Sequence, residues 1–167
     1  MGIHRGKSLN TWKHFFPNAE IYGIDIDPGT KQYADDRINI EIGSQDDPEF
    51  LASMFPEVDE FDVILDDGSH VIRHMIASFD SLFFNRLKSD GIYIVEDLRC
   101  TYRALQSDHN VLESWPGMKY NDPEQDYDNH RPDLDEFFLK YIKDMDHRRG
   151  QVRSMHFWPM ICLFLKV

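Results

Sequence analysis

Cysteine is scarce in this sequence: Cys100 and Cys162 stand far apart, outside any CxxC or zinc-type spacing. A disulfide-stapled fold is therefore not expected, and two reduced thiols suit a cytoplasmic protein. Long apolar runs are also missing: none reaches membrane-spanning length, and no charged–apolar–small pattern marks a signal peptide. Basic charge is in short supply, with 18 Lys and Arg against 30 Asp and Glu and a formal net charge of −12. Such a surface repels phosphate, so neither nucleic acid nor a membrane is an expected partner. The same acid excess suits divalent cations.

What is present is an ordinary globular composition, 41% hydrophobic and 29% charged over 167 residues. That length buries one sizeable core, and 1–167 reads as a single domain. Four apolar blocks read as strands: Ile21 to Ile24 ending at Asp25, Ile38 to Ile42, Phe61 to Leu65, and Gly91 to Val95. Near-continuous apolar blocks suit strands buried on both faces of a parallel sheet. Helical patterns alternate with them. Lys7 to Phe16 places Leu9, Trp12, Phe15 and Phe16 on one side, Asp47 to Phe55 carries Pro48 in its first turn, and Ser69 to Leu87 repeats apolar residues at helical spacing. This rhythm predicts an open α/β sheet with right-handed crossovers.

Residues 103–133 are polar, rich in Asp and Asn, and dotted with Trp115, Tyr120 and Tyr127. A loop this long inside a compact domain is expected to be either functional, as a lid choosing an acceptor, or disordered. Leu134 to Asp146 then predicts an amphipathic helix with Phe137, Phe138, Tyr141, Ile142 and Met145 inward. Val152 to Val167 predicts an antiparallel hairpin turning at Trp158-Pro159.

In open α/β sheets ligands bind beyond the carboxyl ends of the strands, so four such ends matter. The first stretch is Gly2-Ile3-His4-Arg5-Gly6-Lys7-Ser8, leading into a helix. Its glycines let a nucleotide or sulfonium ligand approach backbone N–H groups, and a plain turn capped by Ser8 explains it equally well. Asp25 ends the next strand, where an acid suits a ribose diol; Asp27 reads as turn chemistry. Gly43-Ser44-Gln45-Asp46 places polar side chains where an adenine edge would be read, with helix capping by Ser44 or Asp46 as the alternative.

The fourth site pairs two strand ends, Asp66-Asp67-Gly68-Ser69-His70 and Glu96-Asp97. If the strands are neighbours, Asp67, Glu96 and Asp97 meet. Clustered carboxylates repel unless a proton or cation intervenes, and oxygen ligands select Mg²⁺ or Ca²⁺. His70, one turn on, is a candidate base near neutral pH. Asp-Gly-Ser is equally good turn chemistry, with Ser69 as a helix cap. Asp66, on the opposite side of the strand end, is expected to support structure. His74 follows His70 by four residues without HExxH or a nearby thiolate, so it is expected to face solvent.

In order along the chain, GIHRGKSLNTW, IYGIDIDP, VILDDGSHVIRH, GIYIVEDLRCTY and SMHFWPMICLFLKV resemble the macrocin/mycinamicin-type sugar O-methyltransferases of antibiotic biosynthesis. The resemblance implies a Rossmann-like class I methyltransferase sheet, S-adenosylmethionine and Mg²⁺ as cofactors, and a hydroxylated small-molecule acceptor such as a sugar or glycoside. It implies Asp67, Glu96 and Asp97 as metal ligands and His70 as general base. Gly2, Gly6 and Ser8 would lie at the methionine part of the cofactor, Asp25 at its ribose, and Gln45 with Asp46 near its adenine. One departure stands out. Members of that family place a strand ending in Glu-x-Gly before the glycine loop, whereas here Met1 immediately precedes Gly2, so the sheet is expected to lack its first strand. A late start or a shortened chain would explain it, as would a minimal form.

Three other functions stay open. A non-catalytic, truncated methyltransferase-like binding protein would keep the fold without turnover. A hydrolase would keep the metal and drop the cofactor, and a cephalosporin-methoxylation-type relative would share the glycine loop. The sequence leaves open the acceptor, the metal beyond a hard divalent cation, and the oligomeric state, a homo-oligomer included.

Overall fold

A computed structural model describes residues 1–98, 100, 101 and 131–167. The expected lid lies, up to residue 130, outside the described residues. The elements run α1 (Lys7–Phe15), β1 (Ile21–Asp25), a 3-10 helix (Pro28–Tyr33), β2 (Ile38–Ile42), α2 (Pro48–Ser53), β3 (Phe61–Asp66), α3 (Ile72–Asn85), β4 (Leu87–Val95), α4 (Arg131–Asp146), β5 (Val152–Trp158) and β6 (Ile161–Lys166). The architecture is α/β, mostly parallel in its first four strands, with an antiparallel hairpin at the end.

The strands form two sheets rather than one. β1 and β2 pair in parallel, Ile21 opposite Ile38. The other sheet has the order β3-β4-β6-β5, with β3 parallel to β4 and β6 antiparallel to both neighbours. Among the described residues no ladder joins β1 to β3. The backbone of Met1 and Gly2 lies between their ends instead. Gly2 N–H donates to the Ile24 carbonyl at 3.1 Å, Asp67 N–H donates to the Met1 carbonyl at 3.2 Å, and the Met1 nitrogen donates to the Leu65 carbonyl at 2.6 Å.

Register decides which residues enter the core. Ile64, Tyr93, Phe164 and Met155 stand in one row across the larger sheet, and Asp66, Val95, Cys162 and Phe157 in the next. This face meets α3 and α4, and Phe79 of α3 packs within 5.3 Å of the rings of Phe83, Tyr93, Phe137, Tyr141 and Phe164. Phe79, Phe83, Tyr93 and Phe164 are fully buried. The opposite face carries Val63, Leu65, Ile92, Ile94, Leu163 and Leu165, none of them fully buried.

Two helices bury less than their patterns predict. On α1 only Leu9 is buried, because the helix packs on the narrow β1–β2 sheet with a small core of Ile3, Leu9, Ile38 and Ile40. Trp12, Phe15 and Phe16 remain exposed and stack on one another, at 6.0 and 5.1 Å. On α4, Leu134, Phe138 and Tyr141 are buried but Ile142 is 39% exposed. β4 starts at Leu87, ahead of the predicted Gly91, since Leu87 pairs with Phe61 before a bulge.

Arg86, just past α3, is held by backbone carbonyls. Its guanidinium donates to five carbonyls: Leu51, Ala52, Met54, Val58 and Asp59, at 2.7 to 3.3 Å. Several of these are the last carbonyls of α2, which no helical N–H reaches. The rigid five-donor fork explains the choice of Arg. Arg86→Lys, with three donors, is expected to lower stability by about 2 kcal/mol or more, read as a drop in the chemical-denaturation midpoint.

Candidate active site

The residues singled out in the sequence lie at the start of the chain up to α1, at the end of β1, and in the loops after β2, β3 and β4. Asp66 and Asp67 part at the end of β3, as strand alternation requires. Asp66 is 1% exposed. Its carboxylate accepts from Ser78 Oγ at 2.7 Å, from Gln45 Nε2 at 3.1 and 3.2 Å, and from Gly68 N–H at 3.2 Å. Ser78 in turn accepts from the buried Tyr93 hydroxyl at 3.2 Å. Asp66 is structural, as its side of the strand implied.

Asp67 faces the other way. One ligand atom each from Asp67, His70 and Asp97 lies within 4.8 Å of the others. His70 Nε2 is 3.9 Å from Asp97 Oδ2. Glu96, expected as a third ligand, is not a member of this group. It sits close enough to feel the cluster: its carboxyl is raised above the usual 4.5, by burial first and then by Asp67 and Asp97. Asp67 is likewise raised above 3.8 by burial, with Asp97 adding to the rise and His70 opposing it. His70 and Asp97 both adopt positive φ, 57° and 53°. Non-glycine residues held there carry strain of about 1 kcal/mol or more, which recurs where a side chain must be aimed.

The expected cofactor residues divide by environment. Gly2 has φ 79°, and a Cβ there would stand 2.0 Å from the Asp67 carbonyl. Gly6 has φ 69°, and its Cβ would meet the Tyr33 ring at 2.6 Å. Both glycines thus let the chain approach itself. Ser8 lies inside α1, exposed, and does not cap it; Gly6 is the N-cap residue. Asp25 organises the glycine loop, its carboxylate accepting from the N–H groups of Ile3 (2.7 Å), His4 (3.1 Å) and Asp27 (2.9 Å). Burial works to raise its pKa, but these N–H donors with that of Ile26 outweigh burial, and the net shift is downward.

Gln45 is buried and turned inward, its Nε2 on Asp66 and its Oε1 accepting from Ser69 N–H at 2.6 Å. Asp46 points outward, holding Ser44 Oγ. Neither Ser44 nor Asp46 caps α2; Asp47 does, accepting from Glu49 and Phe50 N–H. Ser69 does not cap α3, whose N-cap residue is Val71 without a side-chain cap bond. Its hydroxyl instead accepts from Val71 N–H at 3.3 Å and meets His74 Nδ1 at 3.0 Å. His74, expected to face solvent, is only 17% exposed and wedged between Ser69 and Asp46. Its helical spacing, one turn into α3 on the side of the strand ends, was the available signal.

The raised carboxyls have a pH consequence. The folded state holds the Asp67 proton more tightly than the unfolded chain does, so stability is full below 3.8 and falls as pH rises through the raised value. Without divalent cation the protein is expected to lose stability on going from about pH 4 to pH 7, over and above other titrations. Asp67→Asn is expected to flatten that slope in thermal melts, and Mg²⁺ to offset it in the wild type alone. An unchanged slope in Asp67→Asn would contradict the cluster's electrostatics.

No family model matches the chain. Over 114 residues, 68% of this chain, it is 38% identical to a demethylmacrocin O-methyltransferase from Streptomyces fradiae. It is equally identical, over the same length, to a mycinamicin VI 2''-O-methyltransferase from Micromonospora griseorubida. The chain spans 25% of the length of these curated relatives. A solved structure of the MycE methyltransferase in complex with Mg and SAH superposes with a TM-score of 0.72 at 28% identity, over 99% of this chain and 43% of that one. A MycE complex with Mg, SAH and mycinamycin VI gives 0.70 at 29% identity, over 96% of this chain and 40% of that one. The chain is thus a homologue of the macrocin- and mycinamicin-type sugar O-methyltransferases and shares their class I methyltransferase fold.

Proposed function

We propose that this domain is the cofactor- and metal-binding part of an S-adenosylmethionine- and Mg²⁺-dependent O-methyltransferase acting on a hydroxyl of a sugar, glycoside or polyol natural product. The observation that carries the reading is the convergence of Asp67, His70 and Asp97 at the carboxyl ends of β3 and β4. An oxygen-rich set with a raised carboxyl and an excess of negative charge fits a hard divalent cation. Asp67 and Asp97 would hold it, with Glu96 at its edge. A bound Mg²⁺ supplies Lewis acidity toward an acceptor hydroxyl, and bound S-adenosylmethionine supplies an electrophilic methyl group.

The chain's own residues do the rest. His70 is aimed into the cluster by its left-handed backbone and takes the hydroxyl proton at a ring nitrogen. Asp97 Oδ2, 3.9 Å from Nε2, then steadies the imidazolium. Asp25 shapes the loop of Ile3 and His4, placing Gly2, Gly6 and Ser8 toward the methionine end of the cofactor. Ribose hydroxyls would lie beside this carboxylate, whose oxygens are already engaged by backbone N–H groups. Asp46 serves the adenine edge, and Gln45 acts behind it as a buried tie. Orientation of hydroxyl against methyl accounts for much of the rate such a site can supply.

A second reading, a non-catalytic binding module, draws on the separation of β1 from β3, which leaves the floor beneath the cofactor to Met1 and Gly2. Turnover separates the two. A cofactor-consumption assay over a panel of glycosides is expected to show activity with Mg²⁺ that EDTA removes. Asp67→Ala is expected to lower kcat/KM by at least about 100-fold, equivalent to the loss of roughly 3 kcal/mol of transition-state stabilisation. Cofactor binding without turnover on any acceptor would favour the binding module.

A further inference from the structure

We propose that His74 is a positioning residue for adenine recognition, the side chain that fixes the Asp46 carboxylate and ties the loop after β2 to the loop after β3. This rests on the reading of Asp46 as the adenine-facing acid. His74 sits in the first turn of α3, between the two loops. Its Nδ1 is 3.0 Å from Ser69 Oγ and its Nε2 is 3.0 Å from Asp46 Oδ2.

Ser69 Oγ accepts the Val71 N–H and keeps one proton and one lone pair, either of which can meet His74 Nδ1. Among the described residues Nε2 makes no hydrogen bond; its 3.0 Å approach to Asp46 is an ion-pair contact, attractive when the ring is protonated. The other Asp46 oxygen accepts from Ser44. Both oxygens are thereby held in one plane while the carboxylate stays 39% exposed, against 17% for the imidazole beneath it. A carboxylate fixed at its inner edge and open at its outer edge accepts N–H donors, and the exocyclic amine of adenine is such a donor.

The same two loops are stitched a second time, since Ser69 N–H donates to Gln45 and Gln45 reaches Asp66. Ser69 is therefore common to both ties. Its main chain holds Gln45, while its side chain, through His74, holds Asp46. Gln45 secures the loop itself, and His74 sets the angle of the one side chain in it that faces outward. An exposed ion pair of the same residues would contribute little to stability. The role assigned to His74 is therefore visible in ligand discrimination rather than in melting temperature.

The test uses isothermal titration of S-adenosylhomocysteine and of its inosine analogue, in which an oxo group replaces the amine. The wild type is expected to prefer the adenosine compound. His74→Phe keeps ring volume and removes both nitrogens. It is expected to weaken S-adenosylhomocysteine binding roughly tenfold and to erase most of the preference, the scale of one close charge contact to a ligand-facing carboxylate. His74→Gln, which restores a donor toward Asp46, is expected to recover most of both. Ser69→Ala removes the hydroxyl partner at almost no cost in volume, and is expected to reduce the preference even should His74→Phe fail to fold. Wild-type preference surviving in His74→Phe, or in Ser69→Ala if the former does not fold, overturns the proposal. A wild type that binds the adenosine and inosine compounds equally overturns it too, while leaving the methyltransferase reading standing. A wild type that binds neither overturns both.

Discussion

A buried carboxylate organises this molecule. Asp66 is 1% exposed at the end of β3, and it gathers donors from three places: Ser78 on α3, Gln45 after β2, and the Gly68 backbone that begins the next loop. Burying a carboxylate is costly unless hydrogen bonds replace its water, and here they do. In meeting that requirement the protein fixes α3, the β2 loop and the β3 loop relative to one another. Asp67 inherits its direction from this arrangement. Because Asp66 must point inward, its neighbour must point out, toward Asp97 and His70.

The working end is assembled from such necessities. Gly2 lies so close to the Asp67 carbonyl that no side chain fits, which brings the glycine loop against the loop after β3. Asp25 holds the glycine loop from the other side through Ile3 and His4. His70 and Asp97 take up left-handed backbone conformations at the two strand ends, and α3 with its aromatic cluster around Phe79 braces the strands behind them. The acids converge although they repel, and the carboxyls of Asp67 and Glu96 are raised, by burial first and by their neighbouring carboxylates in addition. A cation between them would relieve the repulsion.

Much of this was legible in the residues, and the failures have physical reasons. Strand blocks such as Phe61 to Leu65 were plain because parallel strands are apolar on both sides, and the DDGSH strand end drew attention by its density of ionisable groups. The opposed roles of Asp66 and Asp67 followed from alternation alone. The α1 aromatics misled because periodicity reveals a face but not how much sheet lies beneath it, and the β1–β2 pair is too narrow to cover Trp12, Phe15 and Phe16. Ser69 and His74 were misjudged for a different reason, and the inward turn of Gln45 was missed with them. Their partners come from loops more than 20 residues away in the case of Gln45 and from Asp46 in the case of His74, and a one-dimensional pattern does not show which polar residues will share a bond. Glu96 was placed among the ligands with its neighbour Asp97, and it stands beside the cluster, near enough for Asp67 and Asp97 to act on its carboxyl.

The central claim is that Asp67 and Asp97 form a cation site aimed by the buried Asp66 network. The most direct measurement is a crystal structure grown with Mn²⁺ and read by anomalous scattering. The account predicts a peak between the two carboxylates, with oxygen ligands at about 2.0–2.3 Å and His70 beside it. Strong anomalous density elsewhere, with none between Asp67 and Asp97, would contradict it.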